Sequence, residues 1–250
     1  EQIQEVIQHN IIPTIFEYSQ AQLIATNTDV FVNIDTGFHR LGGKPEESFT
    51  KEIQKIQKIE HVHVLGVFTH LALRNSQEDV ESIKQFTELT KALDIPYTSI
   101  SDSIAYTRYD TSENLYRIGA AMFGLTSVKE AGKLDLKPTT SLYSHVTHIQ
   151  TMTKDTDVFY RSHVLSGTTI ATIQIGYADG LFRTMHPESF VMINNQPCSY
   201  IEVGMDQSIV DVTGVAVDVG DSVTIFDAST VLIETLATWC DTNKNNILSL

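Results

Sequence analysis

The 250-residue sequence has only two cysteines, Cys198 and Cys240, far apart and in no CxxC pattern. That excludes a disulfide-stapled scaffold and leads us to expect a reducing compartment. No run of about 18 apolar residues occurs, so no helical membrane span is expected. Basic residues are scarce: 17 Lys and Arg stand against 31 Asp and Glu, for a net charge of -14. This balance argues against a nucleic-acid partner and against docking on anionic lipid. The first residues, EQIQEVIQHN, are polar and helical in pattern, with neither an initiator methionine nor the features of a signal peptide. The chain also lacks repeats, low-complexity tracts and charge blocks. The expectation is an acidic, soluble, cytoplasmic protein. Its hydrophobic content of 42% suffices for a sizeable core.

What is present has two rhythms. Up to about residue 126, IIPTIFEY (11–18), DVFVNID (29–35), HVHVLGVFTH (61–70) and PYTSIS (96–101) read as strands. NLYRIGAAMFG (114–124) reads as a further strand and a turn. Helices are expected between them. SQAQLIA (19–25) is the first. Pro45, Glu46 and Glu47 open the second, with Phe49, Ile53 and Ile56 at helical spacing. Ser76-Gln77-Glu78-Asp79 resembles a capping box opening a third, with Val80, Ile83, Phe86, Leu89 and Leu93 inward. This βαβα alternation predicts a parallel sheet whose ligands gather beyond the carboxyl ends of the strands. The five strands so read are too few to close an eight-stranded barrel. KEAGKLDLKP (129–138) then reads as a loop, followed by strand-like runs with little helix until VLIETLATWCD (231–241). Two domains are expected, α/β over 1–130 and mainly β over 131–250.

Polar groups collect at the ends of the expected parallel strands. NIDTGFHRLGG (33–43) places Asp35, Thr36, His39, Arg40 and three glycines in eleven residues, more than a simple turn needs. His70, Asp102 and Ser103 follow the next two strands, and Arg117 lies within the fifth, before Gly119 and Ala120. Each alone has a plainer reading: His70 as a structural histidine, Arg40 as a surface ion pair, Ser103 as the N-cap of a helix from Ile104. Their common location at one mouth favours a site. Ser103 beside a glycine-bearing turn suits a phosphate. In the second half, GYADG (176–180) reads as a turn, and Met205-Asp206 as packing plus a cap, or both belong to a site. His61 and His63 alternate on one strand, but no third ligand has metal-site spacing, so no metal is expected.

The ordered set NIDTGFHRLG, GVFTHLA, SDSIA, YRIGAAMFG, IQIGYADG and VGMDQ resembles the bacterial alanine racemases. The resemblance runs from about residue 5 to the end. It implies part of a (β/α)8 TIM-type barrel followed by a mainly β C-terminal domain, in a homodimer whose β domain completes the partner's site. It also implies pyridoxal 5′-phosphate as cofactor and alanine as substrate, supplying D-alanine for peptidoglycan. His70 would pack on the cofactor ring, Ser103, Gly119 and Ala120 would hold its phosphate, and Arg117 would face its pyridine nitrogen. Tyr160, in VFYRSHVLSG, would be the catalytic tyrosine, with Arg40 beside it and on the substrate carboxylate. Met205 would offer its backbone N–H to substrate, and Tyr177 and Asp206 would line the entrance. A racemase for serine or another amino acid, or a non-catalytic relative, are the alternatives.

Three departures accompany the resemblance. None of the eleven lysines lies in the family's cofactor-lysine motif, so that motif, with roughly three barrel strands, is expected before Glu1. A phosphate-holding tyrosine is expected beyond Leu250. Asn33 stands where the family often has a carbamylated lysine that orients the arginine, and would need an anion or water. Ser99 stands where a histidine backs the pyridine-facing arginine, so Arg117 is expected to be held less firmly.

Overall fold

The structure, a computed structural model, describes residues 2–125, 133–160 and 162–249. It divides into two compact units. One runs to Met122 and includes 133–135; the other takes Phe123–Leu125 and the chain from Leu136 onward. The domain boundary expected at 130–131, with part of the expected loop around it, lies outside the described residues.

The first unit opens with α1 (Gln2–Gln8) and is built on four parallel strands in sequential order: β1 (Thr14–Ile15), β2 (Thr28–Asn33), β3 (Val62–Phe68) and β4 (Tyr97–Ser99). Crossovers run through α2 (Tyr18–Ala21), α3 (Glu47–Ile56) and α4 (Ser76–Thr90); α5 (Ser103–Arg108) follows β4. α3 forms as its spacing predicts. Glu46 is the N-cap, and Phe49, Ile53 and Ile56 are buried in one core with Val30, Val32, Val62, Val64 and Val67.

Several elements differ from expectation. β1 is only two residues long, because Pro13 has no N–H to give and Tyr18 already starts α2, its N–H bonded to Glu52 (2.7 Å). The cap of α4 is Asn75, not Ser76; its side chain accepts from Glu78 N–H at 2.9 Å. Val80 is 56% exposed. Six residues before buried Phe86, it stands roughly a third of a turn off the inward stripe. Asp79 faces inward instead. It is 1% exposed and accepts from the Leu73 N–H (3.0 Å) and the Tyr109 hydroxyl (2.7 Å). Burial and that bond push the Tyr109 phenol up to about 12. The fifth strand does not form. Asn114 and Leu115 both donate to the one carbonyl of Thr98, so no ladder develops, and Arg117 lies in an irregular segment with its N–H on Ser101 O (3.1 Å). A 3-10 turn, Ala120–Phe123, follows.

In the second unit the strands are β5 (Leu142–Thr151), β6 (Thr156–Val158), β7 (Ser162–Val164), β8 (Thr169–Ile173), β9 (Phe190–Ile193), β10 (Gln196–Val203), β11 (Ser208–Asp211) and β12 (Ser222–Phe226). Six of them close into an antiparallel barrel in the order β10-β11-β8-β5-β12-β9, and β6 and β7 form a separate hairpin. Val146, Ile173, Val191, Ile193, Val210 and Val223 are fully buried in this unit. Asn194 and Asn195, at φ 50° and 61°, make the tight β9–β10 turn. Register shifts in β5, β10 and β12 supply the bends that closure needs. α6 (Ile233–Trp239) is the expected helix, and α7 (Lys244–Leu248) follows it.

The segment after β2 folds back on its own strand. Asp35 N–H bonds Gly43 O at 2.8 Å and Gly43 N–H bonds Asn33 O at 3.2 Å. Gly42 makes this possible, at φ +124°, where a Cβ would stand 2.7 Å from Asp35 N and 3.0 Å from Asn33 O. Both neighbours are backbone and cannot yield. Gly42→Ala should therefore lose roughly 1–3 kcal/mol of stability, measured as a lowered urea midpoint. An unchanged midpoint would show that the loop has room.

Candidate functional site

Arg117 is held by several groups of the first unit. Its Nη1 donates to Ser99 Oγ at 2.6 Å. Its Nη2 donates to Thr69 O at 2.6 Å and more distantly to Ile100 O at 3.4 Å. The guanidinium carbon stands 4.9 Å from the Phe68 ring centre. Ser99 thus accepts directly from Arg117; a short hydroxyl reaches because the arginine lies directly against β4. Burial draws the Arg117 guanidinium down; the Glu113 and Asp102 carboxylates oppose this, and Arg40 adds to it. An arginine so placed stays charged. Glu113, 7% exposed, accepts from the N–H groups of Ile100 and Ser101 and from the Thr111 hydroxyl, so the turn after β4 is tied from both sides.

His70 follows Thr69, the residue whose carbonyl Arg117 holds. Burial keeps its imidazole below the ordinary histidine range; Asp102 opposes this, and the charges of Arg117 and Arg40 add to it. One layer further, the buried Thr36 and Thr69 hydroxyls meet at 2.8 Å, and Ser82 Oγ donates to Thr36 O at 2.7 Å, joining the ends of β2 and β3 to α4. Asp35 caps its own loop. Burial would raise its carboxyl, but bonds from the His39 and Gly37 N–H groups and the His39 ring carry it below the usual value. Asn33 gives its side-chain amide to Leu41 O at 2.9 Å, so it braces the backbone next to Arg40 rather than the guanidinium.

Ser103 is not an N-cap. Asp102 takes that place, its Oδ1 accepting from Ile104 (2.9 Å) and Ala105 (2.8 Å), because its carboxylate reaches the N–H groups two and three residues on. Ser103 is the first residue of α5, and its Oγ accepts from Gly119 N–H (3.0 Å) and Ala121 N–H (3.2 Å). Serine and glycine turn are thus brought together, with the hydroxyl proton not used in these two bonds. A Cβ at Gly119 would meet nothing within 4 Å.

In the second unit Tyr160 sits in the β6–β7 turn, 77% exposed, after Phe159 at φ 50°. Glu202 on β10 clamps this turn, accepting from Tyr160 N–H (3.4 Å) and Ser162 N–H (3.1 Å). Sequence reasoning missed Glu202, since an isolated acid on a strand carries no pattern. The Phe159 ring lies against Gly204, where a Cβ would come within 2.8 Å. Tyr177 N–H bonds Gly204 O (2.9 Å) and Ala178 N–H bonds Met205 O (2.8 Å). YADG is thus a 3-10 turn, closed by Gly180 at φ +102° and docked on GMDQ. Tyr160, Tyr177, Met205 and Asp206 all neighbour this junction and all are exposed.

His61 is engaged elsewhere, its Nε2 at 2.7 Å from Ile24 O. Among the described residues no three His, Cys, Asp or Glu side chains gather as a metal site, and no helix is long and apolar enough to cross a membrane.

Residues 1–127 match the family model of the alanine racemase N-terminal domain, and residues 139–250 match that of the alanine racemase C-terminal domain. The chain belongs to the alanine racemase family. The alanine racemase of Methanococcus maripaludis is 29% identical over 90% of this chain and 66% of its own length. That of Desulforamulus reducens is 29% identical over 97% of this chain and 71% of its own. A solved Clostridium difficile 630 alanine racemase superimposes with a TM-score of 0.88 at 26% identity, covering 98% of this chain and 69% of that one. The chain thus spans about two-thirds of the length of these relatives. The expected architecture, part of a (β/α)8 barrel followed by a mainly β domain, stands.

The His70 environment has a consequence for stability. Its folded value is depressed, so on acidification the unfolded chain takes up the proton first. The stabilising difference is complete above the free value of about 6.5 and is lost as pH falls through the folded value. Urea midpoints taken between about pH 7.5 and pH 5 should fall more steeply for the native chain than for His70→Gln. Parallel curves would place His70 in ordinary solvent.

Proposed function

We propose that the chain carries the cofactor- and substrate-binding portion of an alanine racemase, interconverting L-alanine and D-alanine with pyridoxal 5′-phosphate. The observation that carries this reading is Arg117, fixed through both Nη atoms beside His70 and the Ser103–Gly119 junction, in a chain of this family. The groups present fit the cofactor. The Ser103 hydroxyl proton, not used in the bonds from Gly119 and Ala121, and the Ala120 amide of the same turn suit a phosphate, with open space beside Gly119. The half-buried His70 imidazole suits the face of a ring. When bound, the cofactor supplies a carbonyl that condenses with the amino group and a conjugated ring that withdraws the electron pair at Cα.

Arg117 has donors and no acceptor, so it would donate a hydrogen bond to the cofactor's pyridine nitrogen and leave that nitrogen unprotonated. The ring would then withdraw electrons less strongly, which would favour return of the proton to Cα. Arg40 binds the substrate carboxylate. Tyr160 holds or delivers a proton on one face of Cα, with Arg40 beside it. The opposite face belongs to the family's cofactor lysine, whose motif none of the lysines here matches. The reading includes a cytoplasmic homodimer in which Tyr160, Tyr177, Met205 and Asp206 serve a partner copy, and a product destined for peptidoglycan. The exposure of these four side chains supports the shared site, and the two free, buried thiols suit a cytoplasmic setting.

The test is deuterium uptake at Cα from heavy water, starting separately from L- and D-alanine, with the protein containing this chain. Tyr160→Phe should slow exchange from one enantiomer by about 10²–10⁴-fold and spare the other. Equal rates from both would overturn the role of Tyr160, and uptake from serine alone would replace alanine as substrate.

A further inference from the structure

Arg40 projects from the loop after β2 and is exposed, and among the described residues no carboxylate lies within ion-pair distance of it. Asn33 is committed to Leu41 O, and Asp35 to Gly37 and His39. One side chain does face Arg40. Its guanidinium carbon lies 4.7 Å from the centre of the Phe38 ring. The same ring meets the His70 imidazole edge-on, with centroids 4.6 Å apart at 79°. The three groups form a stack of cation, aromatic face and imidazole.

Local backbone geometry produces the stack. Residues 38 and 40 are two apart and would not face each other in a regular helix. Between them His39 adopts the left-handed conformation, φ +59°. Two bonds to Asp35 hold it there, from the His39 N–H to Oδ1 (2.9 Å) and between ring Nδ1 and Oδ2 (3.2 Å). That residue turns the chain so that Phe38 and Arg40 meet. A guanidinium over an aromatic face is attracted by the ring quadrupole and directed by it.

We infer that Phe38 is a positioning residue: its ring aims Arg40 and packs against His70, so that the two groups are set relative to one another, with the Asp35–His39 pair fixing the turn. Its importance for turnover rests on the proposed racemase reading, in which Arg40 receives the substrate carboxylate. The stack itself does not. The groups whose charge reaches His70 are Asp102, Arg117 and Arg40, so the His70 titration reports where Arg40 stands.

The experiment is an NMR titration of His70 in the full chain without cofactor, in a cycle of Phe38→Leu and Arg40→Gln. With Phe38 present, Arg40→Gln should raise the His70 midpoint; in the Phe38→Leu background, where Arg40 is no longer aimed, it should raise it less. Phe38→Tyr should keep the native response. In turnover, Phe38→Leu should raise KM for the amino acid by about two- to fivefold, and Phe38→Tyr should restore it. An equal effect of Arg40→Gln in both backgrounds overturns the stack and leaves the racemase reading intact. Coupling in the titration with no amino-acid turnover by the protein used for the deuterium-uptake test supports the stack and overturns the racemase reading.

Discussion

A charged guanidinium inside the first unit has to be satisfied wherever it lies, and that requirement organises everything around it. Arg117 draws Ser99 Oγ, Thr69 O and Ile100 O toward one point, so the ends of β3 and β4 and the segment after β4 become a single layer. Removing a charge from water is costly unless its donors find acceptors. Glu113 completes the arrangement by accepting the Ile100 and Ser101 N–H groups, which keeps those two residues from turning their carbonyls away. His70 and Ser103 stand at fixed positions because the backbone beside each is part of this layer.

The loop from Asn33 to Gly43 meets the same demand by local means. Asn33, Asp35 and two backbone bonds hold its frame, and Gly42 accepts a conformation no side chain tolerates well. In the second unit the barrel offers rigid strands, and Glu202 and Gly204 on and after β10 hold the Tyr160 turn and the Tyr177 turn. Both units thus mount exposed or half-exposed polar side chains on loops bonded to strand ends, where precision comes from backbone pairing rather than from burial of the functional group.

Much of this was legible. The apolar stripe of α3, three parallel strands close to their expected bounds and the change to a mainly β second half followed from helical spacing and from short apolar runs. The misreadings share a cause. IIPTIFEY and NLYRIGAAMFG have strand composition, but their backbone partners lie elsewhere: with Glu52 for Tyr18, and with Thr98 and Ser101 in the second case. Composition reports what a residue can do, not which acceptor is near. Asp79 and Glu202 went unrecognised for the same reason, being acids whose donors come from 6 to 42 residues away.

By itself the sequence determined the order of elements, their amphipathic faces and the set of motifs that marks the family, because these depend on neighbours a few residues apart. Tertiary structure alone decided which of those motifs meet. Ser103 reaches the Gly119 and Ala121 amides, Phe38 lies between Arg40 and His70, and Phe159 rests on Gly204 only once strand register has fixed the loops. Hydrogen bonds and ring contacts act over a few ångströms, and sequence separation carries no information about such distances until the backbone has been folded.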